Sequence, residues 1–188
     1  MGKIFLPIFL LIPVALFTEI FAENFGEKKF IANHIYHIAE MLLLSGYYYL
    51  QYQNKKTKRV VLMGFIIYSI LLCIHYSLHP TAFLVPNFYD FVLNSILIIL
   101  FVILYFFEEL NNEIITPFYK EPSFYINVGN LFFYAGTMLV MGFKYLVEKT
   151  NPALGESLML INHSLNLLLY ALYLLAFICI LQTPKQPH

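Results

Sequence analysis

His34, His37 and Glu40 recur at intervals of three in the stretch ANHIYHIAEMLLL, residues 32–44, inside an otherwise apolar run. On a helix, side chains three apart are neighbours with Cβ atoms roughly 5–6 Å from each other, near enough to share one ion. His75 and His79, four apart, repeat the opportunity, and Glu40, Asp90 or His163 could complete a ligand set. Imidazole with carboxylate suits zinc, iron or copper, and a histidine pair from two helices suits haem. Against a metal centre, the chain carries no HExxH, no CxxC and no dense histidine-rich boxes. His34 is also turned about 100° around the helix from Asn33, away from the direction shared by His37 and Glu40.

The same residues support three other chemistries. A His and a Glu one turn apart can hydrogen-bond each other and an asparagine such as Asn94 or Asn166, with the carboxyl kept protonated by apolar surroundings, which fixes the helix faces that meet. They can line a pocket for a small or lipidic ligand. They can also register or carry protons, because histidine titrates near neutrality.

The elements that must position these residues are membrane spans. Of 188 residues, 60% are hydrophobic and 12% charged, against about 45–50% and about 25% in soluble domains. Six apolar runs reach the roughly 17–25 residues that cross hydrocarbon: residues 3–22, 30–51, 60–79, 88–107, 125–146 and 159–182. The expected fold is an all-α bundle of six transmembrane helices forming one domain over residues 1–188. The longest connector, residues 108–124, has 17 residues, too few for a soluble catalytic, kinase or nucleotide-binding unit. The net charge of zero gives no basic field for nucleic acid. The first run is read as a retained span, not a cleaved leader, with Pro7 and Pro13 as kink sites.

Lysine and arginine orient the bundle. QNKKTKR carries Lys55, Lys56, Lys58 and Arg59, whereas HPTAFLVPN carries none, so the former belongs in the cytoplasm and both termini join it. Adding Lys3, Lys120 and Lys185 gives seven basic residues inside, against Lys28, Lys29, Lys144 and Lys149 outside. Glu19, His34, His37, His75, His79, Asp90, Asn94, Asn162, His163 and Asn166 then fall in the outer half, with Glu40 near the midplane.

Helical direction gathers the polar residues into stripes. The second run aligns Asn33, Tyr36, His37, Glu40, Tyr47 and Gln51; the third Tyr68, His75 and His79; the fourth Asp90, Asn94, Tyr105 and Glu108. The fifth aligns Asn127, Asn130, Tyr134, Met141 and Tyr145, and the sixth His163, Asn166, Tyr170 and Tyr173. Polar groups at membrane depth are costly unless they face the bundle interior. The expectation is a polar outer-half cavity lined by Glu19, Asn33, His37, Glu40, Tyr68, His75, Asp90, Asn94, His163, Asn166 and Tyr170. GYYYLQY reads as an interfacial aromatic belt and FFEELNNE, residues 106–113, as a solvated helix end. Cys73 and Cys179 differ in depth by about 15 Å, beyond the roughly 7 Å Cα separation of a disulfide.

The segments HIYHIAEMLLLSGYYYL, VLNSILIILFVILYFFEEL, PSFYINVGNLFFYAGTMLV and INHSLNLLLYALYLLAFIC resemble a group of small, uncharacterised bacterial multispan proteins. Similar segments form the membrane-embedded input region of some sensor histidine kinases. The residues that carry the resemblance are His37 and Glu40, then Pro122, Phe124, Gly129 and Tyr134, then His163 and Asn166, across residues 31–179. The resemblance implies a sensory or regulatory module of the bacterial inner membrane, with no catalytic residues to carry over. Only TPKQPH follows Gln182, so a signal would pass to another membrane protein or a second copy.

The expected function is thus a non-enzymatic, sensor-like or accessory subunit; the alternatives are a metalloprotein or haem protein using the His/Glu cluster, and a small transporter or proton-coupled component. Elemental analysis and an absorption spectrum of the detergent-purified protein separate them. The metal reading requires a stoichiometric transition metal that is lost in His37→Ala or Glu40→Gln; the sensor-like reading expects none and no Soret band.

Overall fold

The computed structural model describes residues 2–24, 29–84, 88–111, 120–147 and 150–182. The fold is all-α: α1 Gly2–Asn24, α2 Lys29–Gln51, α3 Lys55–Leu78, α4 Phe88–Leu110, α5 Pro122–Val147 and α6 Pro152–Gln182, with a 3₁₀ turn, Pro80–Leu84, after α3. Lys28, Lys149 and Lys185 of the charge count lie outside the described residues, as does the end of the acidic FFEELNNE stretch. Two helices begin earlier than hydropathy alone suggests, because side-chain caps satisfy their first amides. Asn54 Oδ1 accepts from Lys56 N at 2.9 Å, starting α3 at the basic cluster. Asn151 Oδ1 accepts from Leu154 N at 3.1 Å, and Pro152 fills the first helical position of α6.

Five helices, α1 and α3 to α6, are long and apolar enough to cross a bilayer. Large apolar side chains are exposed along each of them, for example Phe17, Ile70, Ile103, Leu139 and Leu174, as a multi-pass membrane protein requires. α2 matches them in length but has no span-length stretch apolar enough to be counted with them, since it carries the histidines, Glu40 and the tyrosine run.

The chain divides into two compact units, Met1–Phe101 and Val102–His188. In the first, α1 runs antiparallel to α2: the Phe5 ring lies 6.3 Å from Tyr47, and a Cβ on Gly46 would sit 3.8 Å from Pro7. Phe5, Ile8 and Leu11, three apart, are the buried edge of α1, whose helix runs through Pro7 and Pro13. α3 is antiparallel to α2 as well: Tyr68 OH donates to the His37 carbonyl at 3.3 Å, and Lys58 Nζ lies 5.4 Å over the Tyr49 ring. α2 and α4 run in the same sense, since His34 meets Asp90, Glu40 meets Asn94 and Tyr52 OH donates to the Phe101 carbonyl. Gly64 makes room for α4, because a Cβ there would stand 3.0 Å from Phe101 Cζ.

The tyrosine run differs from an interfacial belt. Tyr47, Tyr48 and Tyr52 are buried, with Tyr48 5.1 Å from Tyr47, 6.0 Å from Tyr52 and 5.5 Å from Phe101; only Tyr49 faces out. Three neighbouring helices cover α2, so rings that an outer surface would place at the interface become core.

The second unit holds the last residues of α4 and the antiparallel pair α5 and α6. Gly129 sits against Leu169 and Leu172, Gly136 against Leu165, and Tyr173 OH donates to Asn130 Oδ1 at 2.6 Å. Small residues let membrane helices approach, where dispersion and hydrogen bonds replace the hydrophobic effect. The buried edge of α6 is Gly155, Asn162, Leu169 and Ala176, seven apart, with Tyr173. The expected stripe through His163 and Tyr170 is therefore off by about one residue: both are exposed, because the close glycine contacts, not polarity, choose the face of α6. On α5 the expected Asn127, Asn130 and Tyr134 are buried, whereas Met141 is half-buried and Tyr145 exposed near the helix end.

Gly136→Val places methyls where a Cβ alone would already lie 2.7 Å from Leu165 Cδ1. It should lower stability in detergent unfolding by about 1–3 kcal/mol, the range for overpacking. Gly142→Ala, with no neighbour within 4 Å of the added Cβ, should not.

Candidate functional site

The polar residues of the first unit gather on α2, α3 and α4, away from the basic start of α3. His34, on the first third of α2, and Asp90, in the first turn of α4, are 2% and 0% exposed, with His34 Nδ1 2.5 Å from Asp90 Oδ2. A carboxylate in the first helical turn is favoured by the unpaired amides and dipole there. Tyr76 of α3 donates its hydroxyl hydrogen to the same Oδ2, and its oxygen lies 3.0 Å from His34 Nδ1. Three helices thus meet at one carboxylate oxygen.

An aromatic wall closes this pair. Phe83, delivered by the 3₁₀ turn, stacks on Tyr76 at 3.7 Å and sets its face or edge against His34 at 5.5 Å and 84°. Excluding water raises the effective strength of the ion pair and hydrogen bonds, and equally the cost of breaking them.

Two turns along α2, Glu40 is 3% exposed and fully engaged. Tyr36 OH donates to Oε1 at 3.0 Å, Asn94 Nδ2 donates to Oε2 at 2.7 Å, and His37 Nδ1 stands 3.3 Å from Oε2. The His37 ring lies against Tyr36 and Phe91. Asp90 and Asn94 are four apart on α4, so one face of that helix serves both pairs. Each of two histidines is matched to a carboxylate, one across helices and one within α2.

Of the expected cavity residues, the structure brings together His37, Glu40, Tyr68, Asp90 and Asn94, and adds His34. His34 is the correction: helical angle relative to Asn33 turned it away, whereas it is buried and Asn33 is exposed. The buried side chains of α2 span roughly 160° at 100° per residue, from Tyr47 through Leu44 to His34 and Ser45, because α1, α3 and α4 all cover it. A narrow stripe built from polarity undervalues so wide a face. His75 is half-buried and stacks on Tyr89 at 4.5 Å, and His79 is exposed at the end of α3. Glu19 is exposed on α1. His163, Asn166 and Tyr170 belong to α6 in the second unit, where Asn166 Nδ2 donates to the Asn162 carbonyl at 3.4 Å.

Tyr76 and Phe83 were missed. Tyr76 is adjacent to His75, one residue off the stripe through Tyr68, His75 and His79; Phe83 sits in a connector with no periodicity.

Among the described residues no group of three or more His, Cys, Asp or Glu side chains is arranged to hold a metal ion. His34, His37, Glu40, His75, His79 and His163 do not assemble a coordination sphere: two imidazoles face carboxylates, a third lies on a tyrosine. Cys73 and Cys179 are not in a disulfide. The arrangement can hold protons and hydrogen bonds between helices, and it can change when a proton is added or removed. Removing one partner of a buried pair leaves an uncompensated group, which costs about 3–5 kcal/mol. Asp90→Leu and His34→Leu should each lower stability by that order in detergent unfolding. The double variant should lose clearly less than the sum, the coupling that a direct contact produces.

Compared with family models, curated proteins and solved structures, the chain matches none.

Proposed function

We propose that the protein is a non-enzymatic, sensor-like or accessory subunit of a bacterial inner-membrane complex. α2 is its sixth span, both termini are cytoplasmic, and the two histidine–carboxylate pairs are its input element. The observation that carries this reading is the burial of the His34–Asp90 pair and of Glu40 where α2 is tied to α3 and α4.

α2 falls short on average hydropathy because it carries His34, His37 and Glu40, of which His34 and Glu40 are buried. Its outward residues, Ile35, Ile38, Leu42, Tyr49 and Leu50, suit lipid. It also lies beside α4 from His34 to Tyr52, much of that span's length, and in the same sense, which alternating spans separated by α3 require. Lys55, Lys56, Lys58 and Arg59 at the α2–α3 junction favour the cytoplasm, which sets the His34–Asp90 pair toward the opposite face.

A tie of this kind is a two-state element: while charge and hydrogen bonds match, α2, α3 and α4 are held, and a change of protonation alters the match. The proton is the input that two imidazole–carboxylate pairs suit best. A helix shift would be read by another membrane protein or a second copy through the spans themselves.

Two measurements test this reading. In a Cys73→Ser, Cys179→Ser background, Asn54→Cys should react with an impermeant thiol reagent only in inside-out vesicles, and His79→Cys only in right-side-out ones; the reverse pattern sinks the topology. Spin labels at Ile35 and Tyr89, both exposed, should report a separation that changes with pH in nanodiscs. The change should vanish in His37→Gln, and a pH-invariant separation in the unmodified cluster would refute the input role.

A further inference from the structure

Asp90 and Asn94 are both 0% exposed, and each keeps one oxygen that receives no hydrogen bond among the described residues. Asp90 Oδ2 receives His34 and Tyr76 while Oδ1 receives nothing; Asn94 Nδ2 donates to Glu40 while its Oδ1 receives nothing. Turning the Asn94 amide over does not remove the orphan, since it would set Oδ1 against Glu40 Oε2, acceptor on acceptor. The two orphans belong to side chains one turn apart on the same helix face, with Cβ atoms roughly 5–6 Å from each other. Nearly all buried polar atoms in native structures are paired with protein or with ordered water, so two open acceptors on neighbouring side chains call for a guest that can donate to both.

We propose that a single water molecule is held between Asp90 Oδ1 and Asn94 Oδ1, donating one hydrogen to each, and that it joins the two histidine–carboxylate pairs into one proton-linked chain. Water fits the chemistry: two donors meet two acceptors, within the two to four hydrogen bonds usual for buried water. A hard metal cation fits poorly, because it asks for about six oxygens and the cluster offers two open ones. With the water in place, hydrogen bonds run from Tyr76 and His34 through Asp90, the water and Asn94 to Glu40, His37 and Tyr36. Protonation at one pair then alters the field and hydrogen bonding at the other, so the pairs titrate as a unit.

The groups that bear on this chain are His34, His37, Glu40 and Tyr36 from α2, Tyr68 and Tyr76 from α3 with His75 behind Tyr76, and Asp90 from α4. The 3₁₀ turn presents Phe83, and α1 buries the apolar Phe5, Ile8 and Leu11. The coupling deepens the sensor reading, whereas the hydration site stands on the two orphaned oxygens alone.

Infrared spectra of the full chain in nanodiscs, compared between ordinary and ¹⁸O water, test the site directly. An isotope-shifted O–H band of an isolated internal water is expected in the unmodified protein, retained in Asn94→Ser and in the distant Asn166→Leu, and lost in Asn94→Leu. Histidine ¹⁵N titrations test the coupling. His37→Gln should change the proton affinity of His34 by about threefold or more, and this dependence should disappear in the Asn94→Leu background. An isotope-shifted band that is missing from the unmodified protein, or unchanged in a folded Asn94→Leu variant, overturns the water site. A His34 affinity indifferent to His37→Gln overturns the coupling. The band does not depend on helix movement, so a protein whose spin labels ignore pH would still show it, and the two readings fail separately.

Discussion

Asp90 Oδ2 is the point on which the first unit depends. It receives a histidine from α2 and a tyrosine from α3 while standing in the first turn of α4, so one oxygen registers three helices. In water such a contact would be worth little, because solvent competes for every donor. Buried behind Phe83 and Tyr76 it has no cheap substitute, and the alternative to the pairing is a charge or a polar group stranded in an apolar medium. The value of the contact lies less in net stability than in the penalty for any other register.

From that constraint the rest of the unit follows. Holding α4 at His34 and Glu40 sets its far half against Tyr48 and Tyr52, and Gly64 on α3 accepts the Phe101 ring that this alignment delivers. α1 then covers the remaining flank of α2 with Phe5, Ile8 and Leu11. The second unit solves the same packing problem differently. α5 and α6 approach through Gly129 and Gly136, with the Tyr173–Asn130 bond adding direction, and polarity has little say in which face of α6 is turned inward. A polar tie fixes register where three helices must agree; small residues suffice where two need only come close.

Much of this was legible in the residues. Apolar run lengths gave the helices, apart from the capped extensions at Lys55 and Pro152, and the polar stripes found Glu40, Asp90, Asn94 and Asn130 in buried positions. His34 and the tyrosine run were misjudged for one reason: a stripe treats a helix as having one inward direction, and α2 has three neighbours. The stripe on α6 failed for a different reason, since its packing on α5 selects the glycine-matched edge. Tyr76 and Phe83 could not be found at all, because nothing in their local pattern separates them from the other rings of an aromatic-rich chain.

The sequence by itself determined the medium and the elements. Apolar runs of span length, sparse charge and short connectors admit only helices in or beside a bilayer, since backbone polar groups in hydrocarbon must be paired within each segment. It also determined the inventory of titratable groups that those helices must shelter. Only the tertiary structure decided which of them meet. His34 takes Asp90 rather than sharing an ion with His37, and Glu40 draws Asn94 from a helix more than fifty residues along the chain. Such choices depend on helix rotation and spacing, which are set by the summed contacts of neighbours and are not encoded in the local spacing of any one segment.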